Sequence, residues 1–346
     1  MILHLSNRLL KSLTPNRLIN KLLLSLLFFF SVQALSNSFK FAKYAGDFLS
    51  IGVGARALGM GGAFTSVAND ITAGYWNPAG LTELSSAQLI LMHDERFAGI
   101  VNYDYLGFAP KPADFFSFAF SIIRIGVEDI PYTNDAFFDT NGNGIFDPNI
   151  DRLDPDRISF VSSADWIFIT SFARNIKEKF SLGGNIKFIY RKIEKNSGIG
   201  IGFDLGLKYK LQNFSIGAVI KDVTSTLIAW NTGRNEIVVP SLTLGISREF
   251  EILWGKFTPS LDLITRFEGR NKTALVGTNF ISFDFNAGFE YSFKDKISVR
   301  SGFTENKEFT LGAGLKINRL DIDYSFAKFD SELGNTHRVS LKFSIN

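Results

Sequence analysis

Beyond residue 85, hydrophobic and polar positions alternate with a period of two along most of the chain. Across 199–209, Ile199, Ile201, Phe203, Leu205, Leu207 and Tyr209 are separated by Gly200, Gly202, Asp204, Gly206 and Lys208. Across 281–293, Ile281, Phe283, Phe285, Ala287, Phe289, Tyr291 and Phe293 alternate with Ser282, Asp284, Asn286, Gly288, Glu290 and Ser292. Leu320, Ile322, Tyr324 and Phe326 do so in 320–327, and Val339, Leu341, Phe343 and Ile345 in 336–345. Successive side chains of an extended strand point to opposite faces, so this period predicts strands with one apolar face and one polar or small face. Strands are predicted at 86–93, 97–108, 114–124, 158–172, 180–194, 198–210, 213–221, 240–250, 257–267, 279–293, 296–303, 308–317, 319–328 and 336–345.

A half-buried sheet in a soluble protein alternates in the same way, so strand length has to decide. Globular strands have a mode of about five or six residues, whereas a tilted strand needs about 9 to 11 to cross a bilayer. The runs 180–194 and 279–293 belong to the second class. The 36 phenylalanines point the same way, because lipid accepts a continuous apolar outer band that water would penalise. If the first strand rises from the periplasm, the outer connections are 94–96, 125–157, 195–197, 222–239, 268–278, 304–307 and 329–335. The inner ones are 109–113, 173–179, 211–212, 251–256, 294–295 and 318, so the longest connections sort to the outer side. Short periplasmic turns and long outer loops are a property of outer-membrane barrels. The fold expected is all-β, a 14-stranded antiparallel transmembrane β-barrel in the outer membrane of a bacterium.

The first residues do not belong to that fold. Arg8, Lys11, Arg17 and Lys21 form a basic region without an acid, the apolar run 22–30 follows, and small residues close the segment at Ser31-Val32-Gln33-Ala34. This is the layout of a cleaved signal peptide, residues 1–34. Its removal leaves 33 basic residues against 34 acidic ones and moves the formal charge from +3 to −1. The basic pI therefore belongs mostly to the signal, and nothing in the mature balance suggests nucleic acid. Cysteine is absent, which excludes a disulfide framework, a thiolate nucleophile and Cys-ligated metal.

Between signal and barrel, residues 35–85 read as a plug or hatch, the barrel itself being 86–346 with a long extracellular insert at 125–157. The stretch 45–82 does not alternate and carries Gly46, Gly52, Gly54, Gly59, Gly61, Gly62, Gly74 and Gly80. Such glycines serve tight turns and close backbone approach. Gly59-Met60-Gly61-Gly62 lacks the strand and the spacing of a dinucleotide fingerprint. The apolar residues Phe48, Leu49, Ile51, Leu58, Met60, Phe64 and Trp76 suit packing inside a lumen better than a disordered tether. Arg56 is a candidate partner for a carboxylate on the wall.

Two motifs in this region carry a resemblance. Residues 54–64, Gly-Ala-Arg-Ala-Leu-Gly-Met-Gly-Gly-Ala-Phe, and 75–81, Tyr-Trp-Asn-Pro-Ala-Gly-Leu, resemble the opening of the PorV/PorQ family of outer-membrane proteins. The ending 333–341 is similar to that family's last barrel strand, and Asn77-Pro78-Ala79 resembles the plug of long-chain fatty acid transporter barrels. The resemblance implies fourteen strands around an N-terminal plug, with Asn77, Pro78 and Ala79 as plug residues. It also implies one of two functions. The first is an accessory of type IX-like protein secretion that engages secretion-machinery proteins or secreted cargo. The alternative is an outer-membrane transporter of long-chain fatty acids or other hydrophobic small molecules.

Candidate chemistry is sparse. In the insert, Asp139, Asn141, Asn143 and Asp147 place side-chain oxygens at positions 1, 3, 5 and 9 of a loop, with Gly144 at 6 and the Ile145 carbonyl at 7. That is the oxygen-rich pattern that wraps Ca²⁺. Position 12 is Ile150 rather than Glu, and Asp151 follows as the closing carboxylate of the 139–151 loop. An ordinary cluster of Asn-Gly turns has the same composition. Only His93 and His337 remain in the mature chain; His93 reads as exposed near an outer loop beside Asp94 and Glu95, and His337 is distant from any obvious nucleophile, so no enzyme is expected. The inward charges Asp204, Asp284, Glu290, Arg300, Asp321, Asp323, Arg338 and Lys342 are of both signs and read as lumen networks rather than as an ion-selective pore.

Overall fold

The computed structural model describes residues 46–345 apart from 98, 114–115, 271–273 and 329–334. The signal at 1–34 and the start of the plug segment, 35–45, lie outside the described residues, as does part of the 333–341 ending.

Fourteen strands close into an antiparallel barrel. They are β1 (Ala87–Arg96), β2 (Val101–Ala109), β3 (Ser117–Tyr132), β4 (Ser159–Lys177), β5 (Phe180–Ile193) and β6 (Asn196–Leu211). β7 runs Phe214–Lys221 and resumes as Thr226–Trp230; β8 runs Asn235–Val238 and resumes as Ser241–Arg248. The series ends with β9 (Gly255–Arg266), β10 (Ser282–Phe293), β11 (Ile297–Phe303), β12 (Phe309–Ile317), β13 (Leu320–Lys328) and β14 (Thr336–Ile345). Each strand pairs with its sequence neighbours, and β1 pairs with β14 from Ala87↔Ile345 to Glu95↔His337, which closes the sheet. Closure is obligatory in hydrocarbon, where every unpaired backbone group costs several kcal/mol.

The period-two pattern becomes two surfaces. On β6, Gly198, Gly200, Gly202, Asp204, Gly206 and Lys208 are buried in the lumen, while Ile201 and Leu205 face outward at 53% and 49% exposure. Leu91, Phe120, Phe172, Ile216, Leu263 and Leu311 continue this apolar exterior around the wall. Exposure to water would forgo roughly 1.5–3 kcal/mol per large apolar side chain, so this surface is a lipid-facing band. No helix among the described residues is long and apolar enough to cross a membrane; this chain crosses with strands.

Two connections differ from the pattern-based reading. β3 and β4 extend past the alternation because Ile130–Tyr132 pair with Ser159–Val161 beyond a bulge between Val127 and Ile130. The insert proper is therefore 133–158, and the residues 125–132 are strand. The expected open loop 222–239 is mostly hairpin, Thr226–Trp230 against Asn235–Val238, with Leu227 also paired to Ile201 of β6. Asp222-Val223-Thr224-Ser225 interrupts the alternation locally, so only the neighbouring strand reveals that pairing resumes.

Residues 46–84 lie against the inner faces of the strands and contain the helical turns α1 (Ala55–Gly59) and α2 (Ala73–Trp76). A 3₁₀ turn over Pro78–Glu83 follows. Asn77 caps it by accepting from Ala79 N–H at 3.2 Å, and Pro78 fills the first helical position.

Candidate functional site

The lumen is built from glycines on the wall and polar anchors to the inner segment. A Cβ at Gly288 (β10) or Gly302 (β11) would collide with the backbone of Met60, and one at Gly217 (β7) with the carbonyl of Thr65. These strands therefore let the inner segment approach backbone to backbone. Phe64 and Ala79 are fully buried and Trp76 nearly so; Phe64 and Trp76 meet edge to face with ring centroids 6.1 Å apart. Trp76 donates its indole N–H to Val53 O at 2.9 Å, which satisfies its only polar group.

Charged and amide side chains then fix that segment to the wall. Arg56 donates two hydrogen bonds to Glu290 of β10, at 2.8 and 2.9 Å, and reaches Asp70 at 3.3 Å. Glu290 also accepts from Arg300 at 2.6 Å, and Arg300 continues to Asp323 at 2.7 Å. The fork geometry of guanidinium on carboxylate supplies direction as well as charge. Asn77 Nδ2 donates to Thr65 O and to Leu207 O of β6, both at 3.0 Å. Pro78 and Ala79 press on Gly183 of β5. The structure thus brings Arg56, Phe64, Trp76, Asn77, Pro78 and Ala79 together inside the barrel.

Several anchors were not singled out in the sequence. Asp262 accepts from Phe64 N–H and Thr65 N–H at 3.1 and 2.9 Å. Lys208 donates to Ala68 O at 2.7 Å and pairs with Glu83 at 2.6 Å, and Asn185 donates to Gly74 O at 2.8 Å. Their only sequence signal was an inward position in an alternating strand. The inward charges that were singled out are all paired: Asp204 with Lys187, Asp284 with Arg266, Asp321 with Lys342, and Arg338 with Asp94.

Two cavities flank the inner segment. The outer one, about 330 Å³, is lined by Trp76, Tyr75, Lys221, Asp262 and the ends of the outer connections. The inner one, about 540 Å³, is lined by Arg56, Lys208, Glu290 and residues of the inner turns. They have no lining residue in common, and neither is an apolar tunnel.

Asp139, Asn141, Asn143, Ile145, Asp147 and Asp151 lie at the tip of the insert, above a two-residue hairpin of Phe137–Phe138 with Arg152–Leu153. Asp139 accepts from Gly142, Asn143 and Gly144 N–H, and Asn143 Oδ1 accepts from Ile145 N–H at 2.7 Å. Asp151 accepts from Asp147 N–H and Thr140 N–H, both at 2.8 Å, and these donors hold its carboxyl below the ordinary aspartate range. Among the described residues no three His, Cys, Asp or Glu side chains cluster closely enough to hold a metal by themselves. His93 pairs with Asp104 at 2.7 Å and His337 with the Tyr324 hydroxyl at 2.7 Å, both on the exposed side of their strands.

A closed barrel with a lipid-facing exterior and a filled, ion-paired lumen defines a β-barrel protein of the outer membrane. Within it, residues 174–343, from the end of β4 to β14, match the model of the family described as type IX secretion system membrane protein PorP/SprF. The match spans just under half of the chain and leaves the motifs at 54–64 and 75–81 outside it. Among solved structures, the chain is similar to the P. putida toluene transporter TodX, with a TM-score of 0.58 and 14% identity over 85% of this chain and 99% of that one. The CymD monoaromatic hydrocarbon channel gives 0.55 at 15% identity, covering 86% and 98%. The Ralstonia pickettii toluene transporter TbuX gives 0.54 at 13%, covering 85% and 99%. Identity this low establishes a shared fold. No curated protein sequence matches the chain.

Proposed function

We propose that this protein is an outer-membrane β-barrel accessory of type IX-like protein secretion, engaging secretion-machinery proteins or secreted cargo. The observation that carries this reading is the match of most of the wall, 174–343, to a type IX secretion membrane family. The resemblance of 54–64 and 75–81 to the PorV/PorQ opening supports the same type IX reading, the matched family model being that of PorP/SprF. The segment 46–84 acts as the plug: it is tied to the wall by Arg56, Asn77 and Asp262 and leaves two cavities that share no lining residue. Transport of a hydrophobic molecule would call for an apolar path past Phe64 and Trp76, and both are packed. The barrel's role is then to present its outer connections to a protein and to hold that partner at the outer membrane; catalysis has no part in it.

Purification from native membrane in mild detergent, with mass spectrometry of proteins and lipids, tests this. Secretion components or cargo are expected in stoichiometric amount, and loss of secreted cargo is expected on deletion of the gene. A stoichiometric fatty acid with no protein partner would overturn the reading in favour of transport.

We propose further that the 139–151 loop binds Ca²⁺ weakly and stiffens the insert that faces the partner. Its donors are hard oxygens from Asp139, Asn141, Asn143, the Ile145 carbonyl, Asp147 and Asp151, which suit that ion. With three carboxylates, affinity in the range of roughly 10⁻⁴–10⁻³ M is expected, as for extracellular calcium modules. Calorimetry on the purified barrel checks this: heat on adding calcium, lost in Asp139→Ala and Asp147→Ala. Absence of heat at millimolar calcium in the unaltered protein removes the site.

A further inference from the structure

We propose that the outer cavity is a binding site for a small organic monocarboxylate, anchored on the Lys221 ammonium with its apolar body against Tyr75 and Trp76. Lumen cations elsewhere have a carboxylate at contact distance. Arg56 has Glu290 at 2.8 Å, Lys187 has Asp222 at 2.7 Å, and Lys208 has Glu83 at 2.6 Å. Arg266 has Glu305 at 2.6 Å, Arg300 has Asp323 at 2.7 Å, and Arg338 has Asp94 at 2.9 Å. Lys221 departs from this rule: no carboxylate of the described residues lies within 4.0 Å of its Nζ. That ammonium instead sits 4.0 Å from the centre of the Tyr75 ring and 5.8 Å from that of Trp76. Aromatic faces attract a cation but leave its hydrogen-bond donors unused.

The backbone explains why Lys221 is held there. It is the last residue of the first half of β7, paired with Ser241, and the chain turns away at Asp222, where φ is 55°. The neighbouring carboxylate, Asp222, is occupied by Lys187 and by the Thr226 hydroxyl at 2.6 Å. A second unused polar atom lines the same cavity. Asp262 spends one oxygen on Phe64 N–H and Thr65 N–H, and its other oxygen, Oδ1, is buried without a hydrogen-bond partner.

These features select the ligand. A neutral hydrocarbon would leave the Lys221 N–H donors without an acceptor, whereas a carboxylate accepts them. A dianion would bring a second negative charge towards the carboxylates of Asp262, Glu305 and Glu308, which line the same cavity. The volume, about 330 Å³, is at the small end of ligand sites, which run from about 300 to 1,000 Å³, so it suits a body of about one ring. Gly61, Gly62 and Thr65 of the inner segment contribute to the cavity lining, so occupancy does not require passage through the barrel. The site is independent of the secretion reading and stands or falls separately.

The test uses 4-fluorobenzoate as probe and the purified full barrel in detergent, read by ¹⁹F NMR. Saturable binding is expected, weakened at least about tenfold in Lys221→Gln and largely restored in Lys221→Arg. On the unaltered protein, 4-fluorobenzyl alcohol should bind at least about tenfold more weakly, a comparison that needs no variant. Absence of saturation, equal binding of the alcohol, equal binding to a folded Lys221→Gln barrel, or displacement by inorganic phosphate as effective as by benzoate would each overturn the proposal.

Discussion

Arg56→Ala is expected to loosen the inner segment and turn a closed lumen into a conducting one. The substitution removes both guanidinium hydrogen bonds to Glu290, the one to Asn69 and the contact with Asp70, leaving two largely buried carboxylates at the edge of the inner cavity without that cation. Breaking a buried pair by deleting one partner costs about 3–5 kcal/mol. The lower end applies here, because Glu290 keeps Arg300 and Asp70 keeps Thr72 and Lys342. Arg56→Lys should recover only part of the loss, since an ammonium cannot reproduce the fork on Glu290. Denaturant unfolding in detergent reads the stability, and planar-bilayer recording reads the pore. A variant as stable and as silent as the parent would show that this pair does not hold the segment in place.

The second large effect is steric. Gly288→Val is expected to displace residues around Met60 from the wall, because the added carbons would occupy the space of the Met60 carbonyl. Valine is itself favoured in strands, so the barrel strand tolerates the change and the clash falls on the inner segment. Overpacking of this kind costs about 1–3 kcal/mol and sometimes more, and backbone has no rotamer by which to escape. Gly184→Val on β5 is the matched control: a Cβ there meets its nearest atoms at 3.4 and 3.7 Å, an ordinary contact. Limited proteolysis of reconstituted barrels should cut the inner segment in Gly288→Val and spare it in Gly184→Val. Equal resistance of the two would mean that the segment accommodates the side chain.

The two substitutions act through residues of opposite legibility. Arg56 stood out in the sequence as a lone cation in a glycine-rich stretch, although its partner could have been any inward carboxylate. Gly288 was one small residue among the many on the polar face of an alternating strand, with nothing in that strand to say which backbone it would meet. Register decides what it meets. Gly288 pairs with Gly302 and with Ser260, and this places two glycines side by side beneath Met60. Gly184 points to the other side of the wall.

What the sequence determined by itself was the wall: strand number, the direction of the faces, and the side on which long connections lie. These follow from local rules, because a period of two and a bilayer-spanning length are properties of each segment alone. The tertiary structure decided everything that depends on which strands are neighbours across the lumen. It extended β3 and β4 into the insert and restored pairing to 226–238, where the local pattern breaks but β6 offers a free edge. It chose Glu290 for Arg56 and Asp262 for the backbone at Phe64 and Thr65, residues 234 and 198 positions apart for the first and for Phe64. It also left Lys221 against two aromatic rings, with no carboxylate of the described residues within 4.0 Å of its ammonium. Inward charges on a closed wall are chemically alike in the sequence. Only the register of the strands and the path of the inner segment bring particular ones within hydrogen-bonding reach, because Coulomb and hydrogen-bond terms act over ångströms in space and not along the chain.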